Sequence, residues 1–338
     1  MTTQIPTLNG WRAIAIALVI VCHSLPDCNP AWLGKLGVDI FFGLSGFLIT
    51  ALLLEEHERT GSIDLLAFYR RRAFRILPPA LVFLAVVGLS GLYKSGWELA
   101  STLLFFRNYL PVQYGTYATA HLWSLAVEEH FYLLWPGLLV LAGAPFMRRS
   151  IGHGALAIAL WRLAATSYHW ASLAGVGPGQ RTDFQLDSLL WGCAVAFLYT
   201  DSATKSKLIL RPWLWAAMAA AVLTPNFIDG ASPLLIVASV ATPLLIPFLL
   251  AGAALQPQWI LSRFLELAAL QWIGRLSYSL YLWQEIFSVD GLKSQSLPLN
   301  LALTLAAACA SYYLIERPMI QLGRGSYQVA IRVRYRFC

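Results

Sequence analysis

Residues 9–24 read NGWRAIAIALVIVCHS. The stretch is apolar apart from its ends, where an arginine opens it and a histidine closes it. A second apolar stretch, GVDIFFGLSGFLIT at 37–50, follows after a short break. Two such runs so close together predict retained membrane helices. Arg12 and His23 are eleven residues apart, close to three helical turns, so they share one face about 16 Å apart along the axis. A basic side chain on an apolar helix faces the protein interior or a wet cavity. Alternatively, Arg12 snorkels to the interface and His23 is an interfacial hydrogen-bonding residue. The pair alone leaves both readings open.

Composition places the whole chain in the same class. Of 338 residues, 58% are hydrophobic and 12% are charged, against about 25% charged in a soluble domain. The mean hydropathy is +0.62. Thirteen tryptophans and fourteen tyrosines suit the membrane interface. A net charge of +7 reads as Lys- and Arg-rich cytoplasmic loops rather than as a nucleic-acid surface. The first run has no small-residue cleavage site, so no cleaved leader is expected. Cys22, Cys28, Cys193, Cys309 and Cys338 match no metal or redox spacing. The first two are near enough for a disulfide at the outer face.

Eleven apolar runs can be read, at 13–25, 37–54, 78–93, 97–110, 131–145, 154–172, 185–200, 212–224, 232–254, 267–288 and 298–315. The run at 97–110 is short, holds Arg107 and Asn108, and leads into a polar, Tyr-rich loop. It is read as a surface or re-entrant piece, leaving about ten spans. With the N-terminus in the cytoplasm, Arg12, the arginines of the 55–77 loop, Arg148, Arg149, Lys205, Lys207, Arg211 and the tail arginines fall inside. Lys35, Lys94, Arg107, Arg181 and Lys293 fall outside. This bias predicts an all-α polytopic protein with both termini cytoplasmic. No internal repeat and no appended soluble domain is read. Residues 1–318 form one membrane domain, and 319–338 form a short basic tail.

Several stretches could carry chemistry. Asp39 lies at the outer end of the second helix, as His23 does on the first. It could orient an imidazole for general-base work or simply cap the next turn. In FYRRRAFRILPP (68–79), Arg71, Arg72 and Arg75 fall three and four apart and are expected on one helical face. Arginine's planar fork suits phosphate and pyrophosphate, although the positive-inside rule alone would also place arginines there. Pro78 fits a chain break at the membrane entry. HLWSLAVEEHFYLLWP (121–136) puts His121, Glu128 and Trp135 on one face, with Glu128 and Glu129 at the outer mouth of a span. Its spacing is not that of a zinc hydrolase, and no metal site is expected. Arg181, Asp183 and Asp187 open another span, where a salt bridge is the plain reading. WIGRLSYSLYLWQE (272–285) carries Arg275, Tyr278, Tyr281 and Gln284, and in IERP Glu316 could pair with a cytoplasmic arginine. A multi-pass transporter of a polar solute is the rival class. It would show paired halves or matching broken spans, and none is read.

Taken in order, NGWRAIAIALVIVCHS, GVDIFFGLSGFLIT, FYRRRAFRILPP, HLWSLAVEEHFYLLWP, RTDFQLDSLLWG, LSYSLYLWQ and IERP resemble the acyltransferase-3 family. These are integral-membrane O-acyltransferases that include bacterial O-antigen and Nod-factor acetylases. The likeness runs from residue 8 to about 318. It implies a ten-span protein of the bacterial inner membrane, an acyl-CoA donor, acetyl-CoA by family habit, on the cytoplasmic side, and a sugar hydroxyl on an exported glycan as acceptor. It implies His23 as catalytic base, Arg12 with Arg72 and Arg75 in donor binding, and Glu128 as a further functional residue. Arg71 is grouped with the donor cluster, and Asp39 with the catalytic residues. Two departures stand out. Gln284 occupies a position where many relatives have histidine, and the likeness is faint at 150–180. Some relatives also carry a C-terminal hydrolase-like domain, which is not read here.

Overall fold

The structure is a computed structural model that describes residues 5–25, 31–167, 176, 178–224, 233–288 and 292–324. Cys28, His169 and the tail beyond 324 lie outside these residues, and so does the suggested Cys22–Cys28 disulfide. The described residues form helices and no strands. Helix α1 spans Pro6–Ser24, α2 Ala31–Thr60, α3 Leu65–Leu89, α4 Gly96–Leu103, α5 Leu122–Ala142, α6 Ala144–Ser167 and α7 Thr182–Thr200. Then come α8 Ser202–Lys205, α9 Pro212–Leu223, α10 Pro233–Leu255, α11 Ile260–Leu265, α12 Ala268–Ser288 and α13 Leu297–Ser311.

Among the described residues, six helices are long and apolar enough to cross a membrane, seven if the bent α8–α9 pair is one span. These are α1, α2, α3, α5, α10 and α13 with its extension to Arg324. Helices α6, α7 and α12 have 24, 19 and 21 residues but are more polar. Length and apolarity together therefore stop short of the expected ten. The chain is an all-α, multi-pass membrane protein. Its apolar exterior agrees, with Leu133, Leu138 and Leu141 of α5 and Leu299, Leu301 and Leu303 of α13 turned outward.

Local chemistry explains the helix ends. Pro6 sits in the first turn of α1, where its missing N–H has no helical partner in any case. Asp64 caps α3 by accepting from the Ala67 amide at 2.9 Å. The expected break at Pro78 is absent: α3 runs straight through Pro78 and Pro79. Pro78 and Pro79 free the Phe74 and Arg75 carbonyls, which a membrane helix tolerates where its surroundings supply partners; the Tyr278 hydroxyl donates nearby, to the Ile76 carbonyl, at 2.8 Å. The doubtful 97–110 run becomes α4, whose eight residues rise only about 12 Å. It does not cross a membrane. Its Glu98 is fully buried and accepts from Thr116 and Thr119 hydroxyls at 2.6 and 2.5 Å and from the Thr116 and Lys94 amides at 2.8 Å. That knot ties the polar loop down just before α5. Helix α5 begins at Leu122, a good two turns before the apolar run at 131–145 announces it.

Small residues set the helix contacts. A Cβ on Gly46 would strike the Leu189 carbonyl, and one on Gly192 would strike the Gly43 carbonyl. Helices α2 and α7 therefore touch backbone to backbone. They run parallel, since Asp39 meets Ser188 near one end and Phe47 meets Tyr199 near the other. Helices α1 and α12 are also parallel. Asn9 bonds Gln271 near one end, and His23 bonds Gln284 fourteen residues on along α1. Gly274, against the Asn9 carbonyl, lets these two approach. The parallel α1–α12 pair carries the site.

Candidate active site

A cavity of about 80 Å³ lies between α1, α2, α3, α5 and α12. Arg12, Arg72 and Arg75 line it, with Glu128, Ser45, Ser124, Tyr132, Tyr278 and Tyr281. Five helices thus bring their polar residues to one chamber. Arg12 accepts positioning from Asn9, donating to its Oδ1 at 3.3 Å. The Arg72 guanidinium stacks over the Tyr132 ring, 4.2 Å from its centroid, a contact that orients the fork and costs it little charge. Ser45 donates to Glu128 at 2.6 Å and lies 2.8 Å from the Tyr132 hydroxyl. Glu128 is therefore held deep in the chamber rather than at an outer mouth. His121, at the start of α5, is seven residues back, about 10 Å away along the helix.

Arg71 does not join this group. It is adjacent to Arg72 and so points about 100° away around the helix, where it pairs with Glu56 at 3.6 Å. Arg72 and Arg75, three apart, do share the cavity face. Glu316 lies close by, buried, and accepts from Ser279 at 2.8 Å. It is presented by a π turn over Tyr312–Glu316, the kind of helix irregularity that often marks a working site.

The His23 ring is half-buried, 2.9 Å from Gln284 Oε1 through Nδ1. Its partner is thus an amide on α12, and neither Asp39 nor Glu128. Asp39 is buried in its own ion pair with Lys35 one turn away, and Ser188 donates to it at 3.3 Å. Next to Gln284, Glu285 lies 2.8 Å from His121 Nδ1 and accepts from the His121 amide at 3.1 Å. The ring approaches off line, so that side-chain contact is not an aligned hydrogen bond. Ser124 and Tyr281 share a hydrogen bond at 2.8 Å, and Tyr281 also donates to the His121 carbonyl. Tyr281 therefore belongs both to the cavity wall and to the layer beneath His23. Along α12, Gln284 is three residues beyond Tyr281, about 4.5 Å of rise.

Sequence reading anticipated Arg12, Arg72, Arg75 and Glu128 as site residues, and the fold gathers these four. It singled out Tyr281 without giving it a role, and it did not anticipate Ser45, Tyr132, Glu285 or the pairing of Gln284. One signal was available for the last two: adjacent Gln284 and Glu285 interrupt an apolar helix, and intramembrane polar residues point to function by default. Among the described residues, no three His, Cys, Asp or Glu side chains gather as a metal site.

A chamber lined by three arginines and a histidine further along α1 lie on two parallel helices of a polytopic membrane protein. The Acyltransferase domain family matches residues 5–316, nearly the whole chain, and the protein belongs to that family. It is 32% identical to O-acetyltransferase OatA of Staphylococcus aureus strain NCTC 8325 / PS 47 over 364 aligned positions. The match is the same with OatA of strain COL. The alignment covers 94% of this chain and 58% of each relative, so the chain spans somewhat over half the length of these curated relatives. No solved structure matches it.

Proposed function

We propose that the protein moves an acyl group, acetyl by family habit, from cytoplasmic acyl-CoA to a hydroxyl of a sugar on an exported glycan. The observation that carries this reading is the pairing of sites on α1 and α12. Three arginines meet in one cavity, and an imidazole held by Gln284 stands about 16 Å further along the same helix. Arg12, Arg72 and Arg75 would take the phosphates, because a guanidinium binds phosphate by two parallel hydrogen bonds. A cavity of about 80 Å³ is smaller than a typical ligand pocket of about 300–1,000 Å³. The nucleotide would therefore stay at the cytoplasmic mouth, and only the thin pantetheine arm would enter. Its thioester would pass Tyr281 and reach His23, which takes the proton of the acceptor hydroxyl. Glu128, bonded to Ser45, would set the charge balance of the arginine cluster rather than take part in the proton transfer.

The topology that goes with this is ten spans in the bacterial inner membrane, with both termini in the cytoplasm. Helices α6, α7 and α12 would be spans that carry polar residues inward. The parallel runs of α1 with α12 and of α2 with α7 support that order. In a ten-span count, α1 and α12 are both odd and α2 and α7 both even. Acyl-CoA turnover by the purified protein in proteoliposomes tests the function, read as free-thiol release with a panel of sugars. Release that rises with one sugar and vanishes in His23→Ala is expected. Full release in His23→Ala, or no release and no CoA binding, would remove the proposal.

A further inference from the structure

Gln284 is completely buried. Its Oε1 meets His23 Nδ1 at 2.9 Å, yet its Nε2 has no hydrogen-bond partner among the described residues. Of its neighbours on α12, Tyr281 pairs with Ser124, Glu285 with His121 and Ser288 with Ser24, while the Trp283 Nε1, like the Gln284 Nε2, has no partner among the described residues. A buried, unpaired amide donor is destabilising. A ligand that brings its own acceptor accounts for it.

We propose that Gln284 is a second catalytic residue: its Oε1 holds His23 in the Nδ1–H form, and its Nε2 donates to the oxyanion formed at the thioester carbonyl. The inference rests on the reading of His23 as base. A neutral imidazole has one donor and one acceptor nitrogen. With Oε1 accepting from Nδ1–H, the lone pair is left on Nε2, free to take a proton. The opposite amide orientation would put the ring proton on Nε2 and disable it as the base. Only a side chain with an acceptor and a donor can serve both the ring and the oxyanion. A carboxylate would hold the ring but repel the developing charge, and the neighbouring carboxylate, Glu285, is turned to His121.

The step balances as follows. The acceptor hydroxyl oxygen bonds to the thioester carbon while its proton passes to His23 Nε2. The carbonyl π pair moves onto oxygen, where Gln284 Nε2–H binds it. The C=O then re-forms, the C–S bond breaks, and the leaving thiolate takes the proton from His23. One alcohol and one thioester become one ester and one thiol. Loss of a single oxyanion donor lowers kcat by about 10²–10³-fold.

The full chain in proteoliposomes, supplied with acetyl-CoA and the active sugar acceptor, tests this with Gln284→Met, Gln284→Glu and His23→Ala side by side. Gln284→Met should lower kcat by about 10²-fold or more, leave the KM for acetyl-CoA within about twofold, and keep or raise Tm, because the orphaned donor is gone. Gln284→Glu, which still accepts from His23, should be at least as slow. Wild-type kcat in Gln284→Glu would overturn the donor role. A loss of kcat in Gln284→Met that comes with a large fall in Tm would overturn it as well, since the role would be structural. Wild-type kcat in Gln284→Met beside an inactive His23→Ala would sink this inference and leave the base standing. Wild-type kcat in His23→Ala would sink the base itself.

Discussion

Along α12, the inner half around Tyr278 borders a cavity with three arginines, while the outer half from Tyr281 to Ser288 is packed and almost every polar group there has one partner. The inner chamber has more positive side chains than carboxylates on its walls, as a site for a polyanion would. The other layer sets Glu285 against His121 and leaves a neutral amide to His23. The contrast separates binding from chemistry. Changes at the inner end should alter donor affinity, and changes at the outer end should alter turnover.

The strongest way to break that division is His23→Ala. Turnover should fall by about 10²–10⁴-fold, the usual contribution of a positioned base, with acyl-CoA binding unchanged by calorimetry. A parallel loss of binding would merge the two sites. The next effect in size is on stability. Glu285→Ala leaves the buried His121 amide without its acceptor, and an unsatisfied buried donor costs about 1–3 kcal/mol. A drop in Tm in detergent is expected. Arg72→Lys comes third. Lysine keeps the charge but loses the fork and the stack on Tyr132, so KM for acyl-CoA should rise about tenfold with kcat preserved. Arg71→Lys, on the Glu56 side of the helix, should leave KM unchanged.

This division of labour was only partly visible beforehand. Helices α1, α2, α3 and α10 are legible because lipid demands long apolar runs. The start of α5 is not, because His121, Glu128 and Glu129 dilute its hydropathy where neighbouring helices supply partners. Pro78 misled for a similar reason: proline breaks a helix in water, but within a packed membrane helix the chain continues through Pro78 and Pro79. In the site, Arg72 and Arg75 could be read from their spacing, as could the common face of Arg12 and His23. Arg71 could not be sorted from its neighbours without knowing which face meets the cavity. Asp39 had the chemistry to orient His23, but a lysine one turn before it lay closer. The partner His23 does take is 261 residues away, and no local spacing reports a contact across that distance.

The smallest effect concerns the loop outside the spans, and it sharpens the comparison by adding a region with no part in either site. Burial pushes the Glu98 carboxyl up, but hydrogen bonds from Thr116, Thr119 and the Lys94 and Thr116 amides outweigh it and hold it below the usual carboxylate value of 4.5. A carboxyl with a lowered folded pKa binds its proton more readily in the unfolded chain. Its stabilisation is therefore complete above about pH 5 and is lost as pH falls through the lowered folded value. Glu98→Gln should remove this acid sensitivity at a cost of about 1 kcal/mol, seen as a lower Tm at pH 7 and a flatter Tm–pH curve between about pH 5 and 3. Arg107, which donates to Thr119 at 3.2 Å and to the Thr116 carbonyl at 3.3 Å, keeps the loop folded in the variant. If the loop serves only as a scaffold for the His121 end of α5, kcat and KM at pH 7 should both stay near wild type. A selective fall in kcat would instead tie Glu98, through the loop and His121, to the outer layer around His23.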